Sequence, residues 1–275
     1  MSRRWLFWTQ LIFTLGVCAF IIVPVILSVL AGVTDNFFIG VKSGLTLRWI
    51  GQVWGLYADT IYLSMLIALS CLAITLVVGV PGAYVLARMR PRVARALEEI
   101  IVLPIAVPGL AIALALITTY GGVPDFRTSW LFILSGHVLY TLPFMIRSVL
   151  AVLSSMNFRQ LEEGAASLGA TFWRRFFTVV LPNTKPGIVA GALMVVTLSI
   201  GEFNLTWMLH TPMTKTLPVG LADSYASMRL EVASAYTLVF FIMIVPLLVA
   251  MQLVARQSAR RRRVVTPDDD KRISV

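Results

Sequence analysis

Residues 161–182, LEEGAASLGATFWRRFFTVVLP, form a polar stretch between two long apolar segments and hold many of the side chains that could make specific contacts. A capping-box-like pattern at Asn157 and a glycine stop at Gly169 predict a short helix here. Ala165, Ala166 and Gly169 are spaced three and four apart, so they share one face of that helix. A face of small residues lets another surface approach closely. The stretch therefore predicts a docking element rather than a bond-making site.

Acidic and aromatic side chains complete the pattern of this stretch. Glu162 and Glu163 fall in the early turns of the predicted helix, where carboxylates interact favourably with the positive end of the helix dipole. A second, amphipathic helix is predicted to begin at Thr171 and to end at Leu181 and Pro182. It carries four aromatic side chains: Phe172, Trp173, Phe176 and Phe177.

Ionisable residues inside apolar segments are the other candidates for chemistry, because charge is costly there and often marks a pathway or a partner. Glu202, with Asn204 and Thr206, could line a translocation path and meet a cationic ligand. It could equally cap a helix break or pair with a neighbouring helix. Arg147 is interpreted as a side chain that extends to the membrane interface. His137 has no second ligand nearby in the sequence and is predicted to make a hydrogen-bonded helix contact.

The composition places these residues in a membrane protein. Hydrophobic residues make up 58% and charged residues 13% of the 275, whereas a soluble domain has about 25% charged residues. Apolar runs of about 20 residues recur, each long enough to cross a hydrocarbon core. Cys18 and Cys71 both lie in such runs, so neither a structural disulfide nor a metal site is expected. The sequence predicts an all-α, polytopic membrane protein with no catalytic residues.

Six transmembrane helices are predicted, over about 5–33, 60–87, 100–120, 130–153, 186–209 and 235–255. The first is interpreted as a retained anchor, because its apolar run exceeds the roughly 7–15 residues of a signal-peptide core. Proline and glycine at 79–82, 104–109 and 143 are candidate bends. Residues 210–234 are interpreted as a long loop. The tail from 256 is expected to be disordered beyond its basic cluster.

The distribution of basic residues predicts the orientation of these spans. The net charge of +10 arises mostly from short loops and tails, a pattern typical of membrane topology rather than of nucleic-acid binding. The N-terminus, the loops at 88–99 and 154–185 and the tail hold 17 Lys and Arg residues, against five in the opposite loops. Both termini and the polar stretch are therefore expected in the cytoplasm of a bacterial cell, with the chain in the inner membrane.

The polar stretch resembles the EAA loop of the permeases of binding-protein-dependent ABC importers. That loop consists of Glu-Ala-Ala, three residues, Gly, nine residues, Ile, any residue and Leu-Pro. The spacing matches throughout, although Gly164 replaces the first Ala and Val179 replaces Ile. The residues at the motif positions are Glu163, Gly164, Ala165, Gly169, Leu181 and Pro182.

The resemblance implies a type I importer permease. Residues 57–255 would be the five-helix core, which includes the EAA loop at about 157–185. Residues 1–56 would form an added helix and outer loop, and residues 256–275 would form a cytoplasmic tail. The motif residues would couple the chain to a dimer of ABC ATPase subunits. A second permease subunit, alike or different, and an extracytoplasmic binding protein would complete the system. The chain has no G-x-x-x-x-G-K-[ST] phosphate loop, so Mg-ATP is expected on the ATPase and no cofactor here.

Finer features of the sequence bear on the cargo. Gly201-Glu202-Phe203 resembles a segment of sulfate and molybdate permeases. Residues 215–221, KTLPVGL, resemble more closely the spermidine/putrescine and aminoethylphosphonate permease group. A secondary transporter driven by an ion gradient is the alternative. It fits poorly, because the sequence shows no evident internal repeat and only two intramembrane charges. A membrane-embedded enzyme fits poorly, since paired carboxylates, a histidine cluster and a nucleophile arrangement are missing from the sequence.

Overall fold

The structure, a computed structural model, describes residues 3–263, with side chains from residue 5 to residue 253. This part of the chain is helical throughout its regular elements, which confirms the predicted all-α class. The α-helices are α1 Arg3–Ala31, α2 Arg48–Arg88, α3 Pro91–Ala106, α4 Gly109–Tyr120, α5 Pro124–Thr128, α6 Trp130–Ser154, α7 Phe158–Ser167, α8 Phe172–Arg175, α9 Leu181–Gly201, α10 Asn204–Leu209, α11 Leu217–Ala226 and α12 Leu230–Arg263. A 3₁₀ turn at Gly40–Ser43 and a π-helical turn at Phe176–Val180 accompany them.

Among the described residues, five helical segments are long and apolar enough to cross a membrane, and six if one bent pair counts as a span. The predicted six spans agree with the larger number. The bent pair is α3 and α4, which meet at 100° instead of forming the single span predicted over 100–120. Val107 is extended, because the ring of Pro108 disfavours helical angles at the preceding residue. This break confirms the bend predicted at 104–109, whereas α2 and α6 continue through Pro81 and Pro143.

The helix that begins after Thr171 does not end at Leu181 and Pro182, so that prediction was wrong. Instead, α8 continues through the π turn directly into α9. Proline removes one backbone donor, yet two carbonyls of the preceding turn keep partners. The Asn183 amide donates to the carbonyl of Val179 at 2.8 Å, and Leu181 N–H donates five residues back in the π turn.

Three other predicted boundaries need correction. The fifth span, predicted over 186–209, is interrupted where α9 ends at Gly201 and α10 begins at Asn204. The predicted loop at 210–234 contains the ten-residue helix α11. Helix α12 continues beyond the predicted end at 255 as far as Arg263. The disorder predicted for the end of the tail falls on residues 264–275, which lie outside the described residues.

The chain divides into two compact units. One consists of the part before Tyr62 together with Leu217–Met243, and the other of Tyr62–Thr216 with the chain from Ile244 onward. In the first unit polar contacts join the loop after α1 to α12, and the residue before α12 to α2. Phe37 N–H donates to the Glu231 carboxylate at 2.9 Å, and Arg229 donates to the Tyr57 hydroxyl at 2.6 Å.

In the second unit, α6 and α9 pack closely around two glycines of α9. Gly187 and Gly191 are four residues apart and therefore lie on one face of the helix. A Cβ atom added to Gly187 would lie 2.5 Å from the Ser148 carbonyl oxygen, and one added to Gly191 would lie 2.8 Å from the Met145 sulfur. Small residues at this spacing let two membrane helices approach each other. This contact fixes the core of the unit that carries the predicted docking element.

Candidate coupling site

Helix α7 is the short helix predicted within the polar stretch, and its two ends are formed differently. Asn157 occupies the position before the helix but makes no side-chain cap, so the predicted capping box is wrong. Gly169 has φ +80°, a conformation that glycine adopts without steric cost. Its N–H donates to Ala166 O at 2.9 Å, and Ala170 N–H donates to Ala165 O at 3.1 Å. These two bonds form a Schellman motif, which confirms the stop predicted at Gly169.

One side of α7 is fixed to the last turns of α2 through a buried carboxylate. The Glu162 side chain is 3% exposed. The Tyr84 hydroxyl donates to Glu162 Oε1 at 2.7 Å, and the Arg88 guanidinium lies 3.5 Å from Glu162 Oε2. Arg88 also donates to the Tyr84 hydroxyl. A charge taken out of water is tolerated when it is paired and hydrogen-bonded in this way.

Aromatic packing strengthens the same attachment. The Tyr84 ring contacts three other rings, those of Phe158, Phe172 and Phe176, with centroids 5.4–6.3 Å apart. Such edge-on and tilted arrangements are favourable between aromatic rings. At the exposed margin, Arg159 donates to the Ala87 carbonyl at 3.1 Å. Helix α7, α8 and the end of α2 are thereby joined into one assembly.

The opposite side of α7 is exposed in the described part of the chain, so another surface can contact it. Glu163, Gly164 and Gly169 are exposed, while Ala165 is half-buried. A Cβ added to Gly164 would meet no atom within 4 Å. Leu181 and Pro182, the other predicted coupling residues, lie in the first turn of α9 instead of on this helix. The structure thus brings four of the six predicted coupling residues together on α7 and at its end.

The three residues predicted for a translocation path lie around the break between α9 and α10. Glu202 Oε1 accepts from the Leu205 N–H at 2.7 Å, so this carboxylate caps α10, one of the roles that the sequence left open. Asn204 is exposed at the start of that helix. Thr206 is fully buried, and its hydroxyl bonds to a histidine ring.

That ring belongs to His137, which is 1% exposed and joins three helices of the second unit. Its Nδ1 lies 2.9 Å from the Ser199 hydroxyl of α9, and its Nε2 lies 2.8 Å from the Thr206 hydroxyl of α10. One turn further along α6, Thr141 bonds to Cys71 of α2 at 3.1 Å. The hydrogen-bonded helix contact predicted for His137 is confirmed.

Arg147 has a partner that the sequence did not indicate. Its Nε lies 3.7 Å from Glu98 Oε1, so the pair joins α6 to α3. Both side chains are accessible, and exposed pairs of this kind contribute little to stability. Among the described residues, no group of three or more His, Cys, Asp or Glu could hold a metal ion.

Sequence reasoning missed the residues that hold α7 in place. Glu162 and Glu163 are adjacent and chemically identical, and only tertiary packing distinguishes the buried one from the exposed one. One signal was available: Tyr84 and Arg88 are four residues apart, so a helix places them on one face. Gly187 and Gly191 show the same spacing, and this spacing predicts a close helix contact in membranes.

A bundle of apolar helices that presents one short polar helix with an exposed small-residue face belongs to the class of membrane transport components. Residues 79–264 match the family described as the binding-protein-dependent transport system inner membrane component. The chain belongs to this family.

Relatives within curated proteins agree with this assignment. The chain is similar to the molybdenum transport system permease protein ModB of Azotobacter vinelandii, with 30% identity over 178 residues, 59% of this chain and 77% of the relative. It is also similar to the putative 2-aminoethylphosphonate transport system permease protein PhnV of Salmonella paratyphi A, with 24% identity over 241 residues, 86% of this chain and 90% of the relative.

A solved structure shares the fold. It is the crystal structure of a bacterial ABC transporter involved in the import of the acidic polysaccharide alginate, with a TM-score of 0.76 and 14% identity over 93% of this chain and 96% of that chain. The chain is a type I permease subunit of an ABC importer and a multi-pass inner-membrane protein. It is not itself an enzyme, and the ATPase of such a system is a separate subunit. The alternative of a secondary transporter is therefore not retained.

Proposed function

We propose that α7 is the helix through which a dimer of separate ATPase subunits drives this permease. The observation that carries the proposal is the two-sided environment of α7. Glu162 fixes one side to α2, while Glu163, Gly164 and Gly169 face outward around a helix that stops at a fixed residue. The excess of basic residues in the same loops supports a cytoplasmic position for α7 and for both termini.

The remaining parts of the proposed system follow from the resemblance and from family membership. A second permease subunit, identical or different, would complete the translocation path with residues near Glu202, Asn204 and Thr206. An extracytoplasmic binding protein would deliver the solute. Residues 57–255 would act as the transport core, with 1–56 as an added segment and 256–275 as a cytoplasmic tail.

The docking role of α7 is tested by filling the open space above Gly164. Gly164→Trp should leave the permease folded, because Gly164 is exposed and a Cβ atom there would meet no atom within 4 Å. It should abolish co-purification of the ATPase subunits and solute uptake in proteoliposomes, because the bulky ring occupies the space of the docking surface. Glu163→Lys should weaken the same contact by reversing one charge.

Gly164→Ala is the matched control at the same position. It restores the alanine of the EAA motif and favours the helix by about 1 kcal/mol, so uptake should be retained. A Gly164→Trp permease that still co-purifies with its ATPase at the wild-type ratio would exclude α7 as the docking helix.

For the cargo, we infer a small phosphonate of the 2-aminoethylphosphonate kind, with a polyamine as the second candidate. The relative named for 2-aminoethylphosphonate is similar over 86% of this chain. The KTLPVGL segment suits either candidate. A polyamine carries only cationic groups and would need several acidic contacts, whereas an aminoethylphosphonate also carries an anionic group. One Glu202 oxygen is already engaged by the Leu205 N–H. These observations favour the phosphonate.

The cargo prediction is tested with the cognate binding protein and the reconstituted importer. Calorimetry should detect binding of 2-aminoethylphosphonate, and its ATP-dependent uptake should exceed that of spermidine or putrescine at the same concentration. Omission of ATP serves as the control for leakage. Preferential binding and uptake of a polyamine would reverse the order of the two candidates.

A further inference from the structure

We propose that Glu162, Tyr84 and Arg88 form a joint that transmits movement of α7 to the end of α2. This joint is distinct from the docking face, since its α7 residue, Glu162, is buried whereas Glu163 and Gly164 are exposed. The inference rests on the proposed role of α7 as the docking helix. It assigns Glu162 as a positioning residue for ATP-driven transport, although the exposed Glu163 is the residue that carries the EAA motif.

The contacts are directional enough to carry such movement. The Tyr84 hydroxyl lies between the other two groups, donating to the Glu162 carboxylate and accepting from Arg88. Glu162 is buried, and a buried carboxylate without its partners is costly. Displacing α7 from α2 would therefore leave a carboxylate and a hydroxyl unpaired. The lower-energy response is for the end of α2 to follow α7.

The surrounding rings oppose sliding as well as separation. Tyr84 packs between Phe158 at the start of α7 and Phe176 in the π turn, with centroids 6.3 and 5.4 Å away. The Arg159 contact with the Ala87 carbonyl adds a second attachment at the last turn of α2. The polar joint, the packing of Tyr84 on Phe158 and the Arg159 bond thus hold α2 and α7 together at three points.

The end of α2 also has a position at which it can pivot. Pro81 lies three residues before Tyr84 and lacks the N–H that would bond to the preceding turn. Beside this segment is a cavity of about 470 Å³. It is lined by residues between 81 and 89, at and just after the end of α2, and by aromatic side chains of α8 and the π turn. A missing hydrogen bond and adjacent free volume allow the last two turns of α2 to swing without breaking the packing of the part of α2 before Pro81.

The test measures coupling in the complete importer, reconstituted with its ATPase and binding protein. Tyr84→Phe keeps the ring and removes the hydroxyl, and Glu162→Gln keeps an acceptor and removes the charge. Each should lower the number of solute molecules imported per ATP hydrolysed by roughly tenfold, the effect expected when one charge-assisted hydrogen bond is lost. ATPase co-purification should stay at the wild-type level. The imported-to-hydrolysed ratio does not depend on the folded fraction, so a loss of stability alone leaves it unchanged.

Glu98→Gln is the matched control, because it removes the carboxylate of the exposed pair with Arg147 and should leave the ratio unchanged. A wild-type ratio in Tyr84→Phe, the milder of the two joint variants, would overturn the joint. That result would leave the docking proposal intact, since Gly164→Trp tests docking by co-purification. Persistent co-purification in Gly164→Trp would instead contradict the docking proposal on which the joint rests.

Discussion

Leucine at position 187 should abolish recovery of the folded permease from detergent. A Cβ atom alone at this position would lie 2.5 Å from the Ser148 carbonyl oxygen and 2.8 Å from a methyl group of Val152. The first of these atoms is backbone, so it cannot rotate away as a flexible side chain would. Overpacking a core usually costs about 1–3 kcal/mol, and a forced separation of two helix backbones adds to that cost. Size-exclusion chromatography of the purified protein measures the outcome.

The control for Gly187→Leu lies three residues further along the same helix. Ala190 is exposed, so Ala190→Leu adds a comparable volume to α9 without meeting α6. Gly187→Ala should fall between the two and lower the melting temperature while leaving some folded protein. Equal yields of the Gly187→Leu and Ala190→Leu proteins would show that α6 and α9 are not packed as described.

Replacement of His137 by leucine should destabilise the permease more than removal of the whole buried network. The single change removes the ring partner of the buried Ser199 and Thr206 hydroxyls, and Thr206 keeps only its bond to the Glu202 carbonyl at 3.2 Å. An unpaired buried polar group costs about 1–3 kcal/mol, whereas apolar replacement of all partners is often nearly neutral. Thermal unfolding in detergent should therefore give a lower melting temperature for His137→Leu than for His137→Leu combined with Ser199→Ala and Thr206→Val.

Thr197→Ala supplies the control for that comparison. Thr197 is exposed on α9 and bonds only within its own helix, to Leu193 O at 2.7 Å. Its removal should shift the melting temperature little. If the triple variant unfolds below His137→Leu, the network contributes net stability as a unit, and the explanation by loss of the ring partner fails.

Local chemistry explains which parts of the fold could be predicted from the sequence. Hydrophobic run length identified the spans, because an apolar helix needs about 20 residues to cross the hydrocarbon. The stop at Gly169 was predictable because the left-handed conformation favours glycine strongly and has a known hydrogen-bond pattern. The break before Gly109 followed from two prolines and a glycine within six residues.

Features that depend on tertiary contacts could not be predicted in this way. The boundary at Pro182 failed because the helix continues through a π turn, in which Leu181 N–H and the Asn183 amide both bond to carbonyls of the preceding turn. The role of Glu162 was missed because its burial depends on Tyr84, 78 residues away in sequence. The partner of Arg147 was missed for the same reason, since α3 brings Glu98 to it across a sharp bend.

The π turn at Phe176–Val180 sets the phase between the two ends of one long helix. Trp173 and Gly187 are fourteen residues apart, as are Phe177 and Gly191. In an uninterrupted α-helix, with 100° per residue, that spacing would place the aromatic rings within about 40° of the glycines. The extra residue of the π turn rotates the later part by about another 100°. Trp173 and Phe177 consequently stay 65% and 57% exposed while both glycines face α6. Deleting one residue from this turn would restore a continuous α-helix and keep about the same angle between the aromatic rings and the glycines, because thirteen residues at about 100° each leave them about 140° apart.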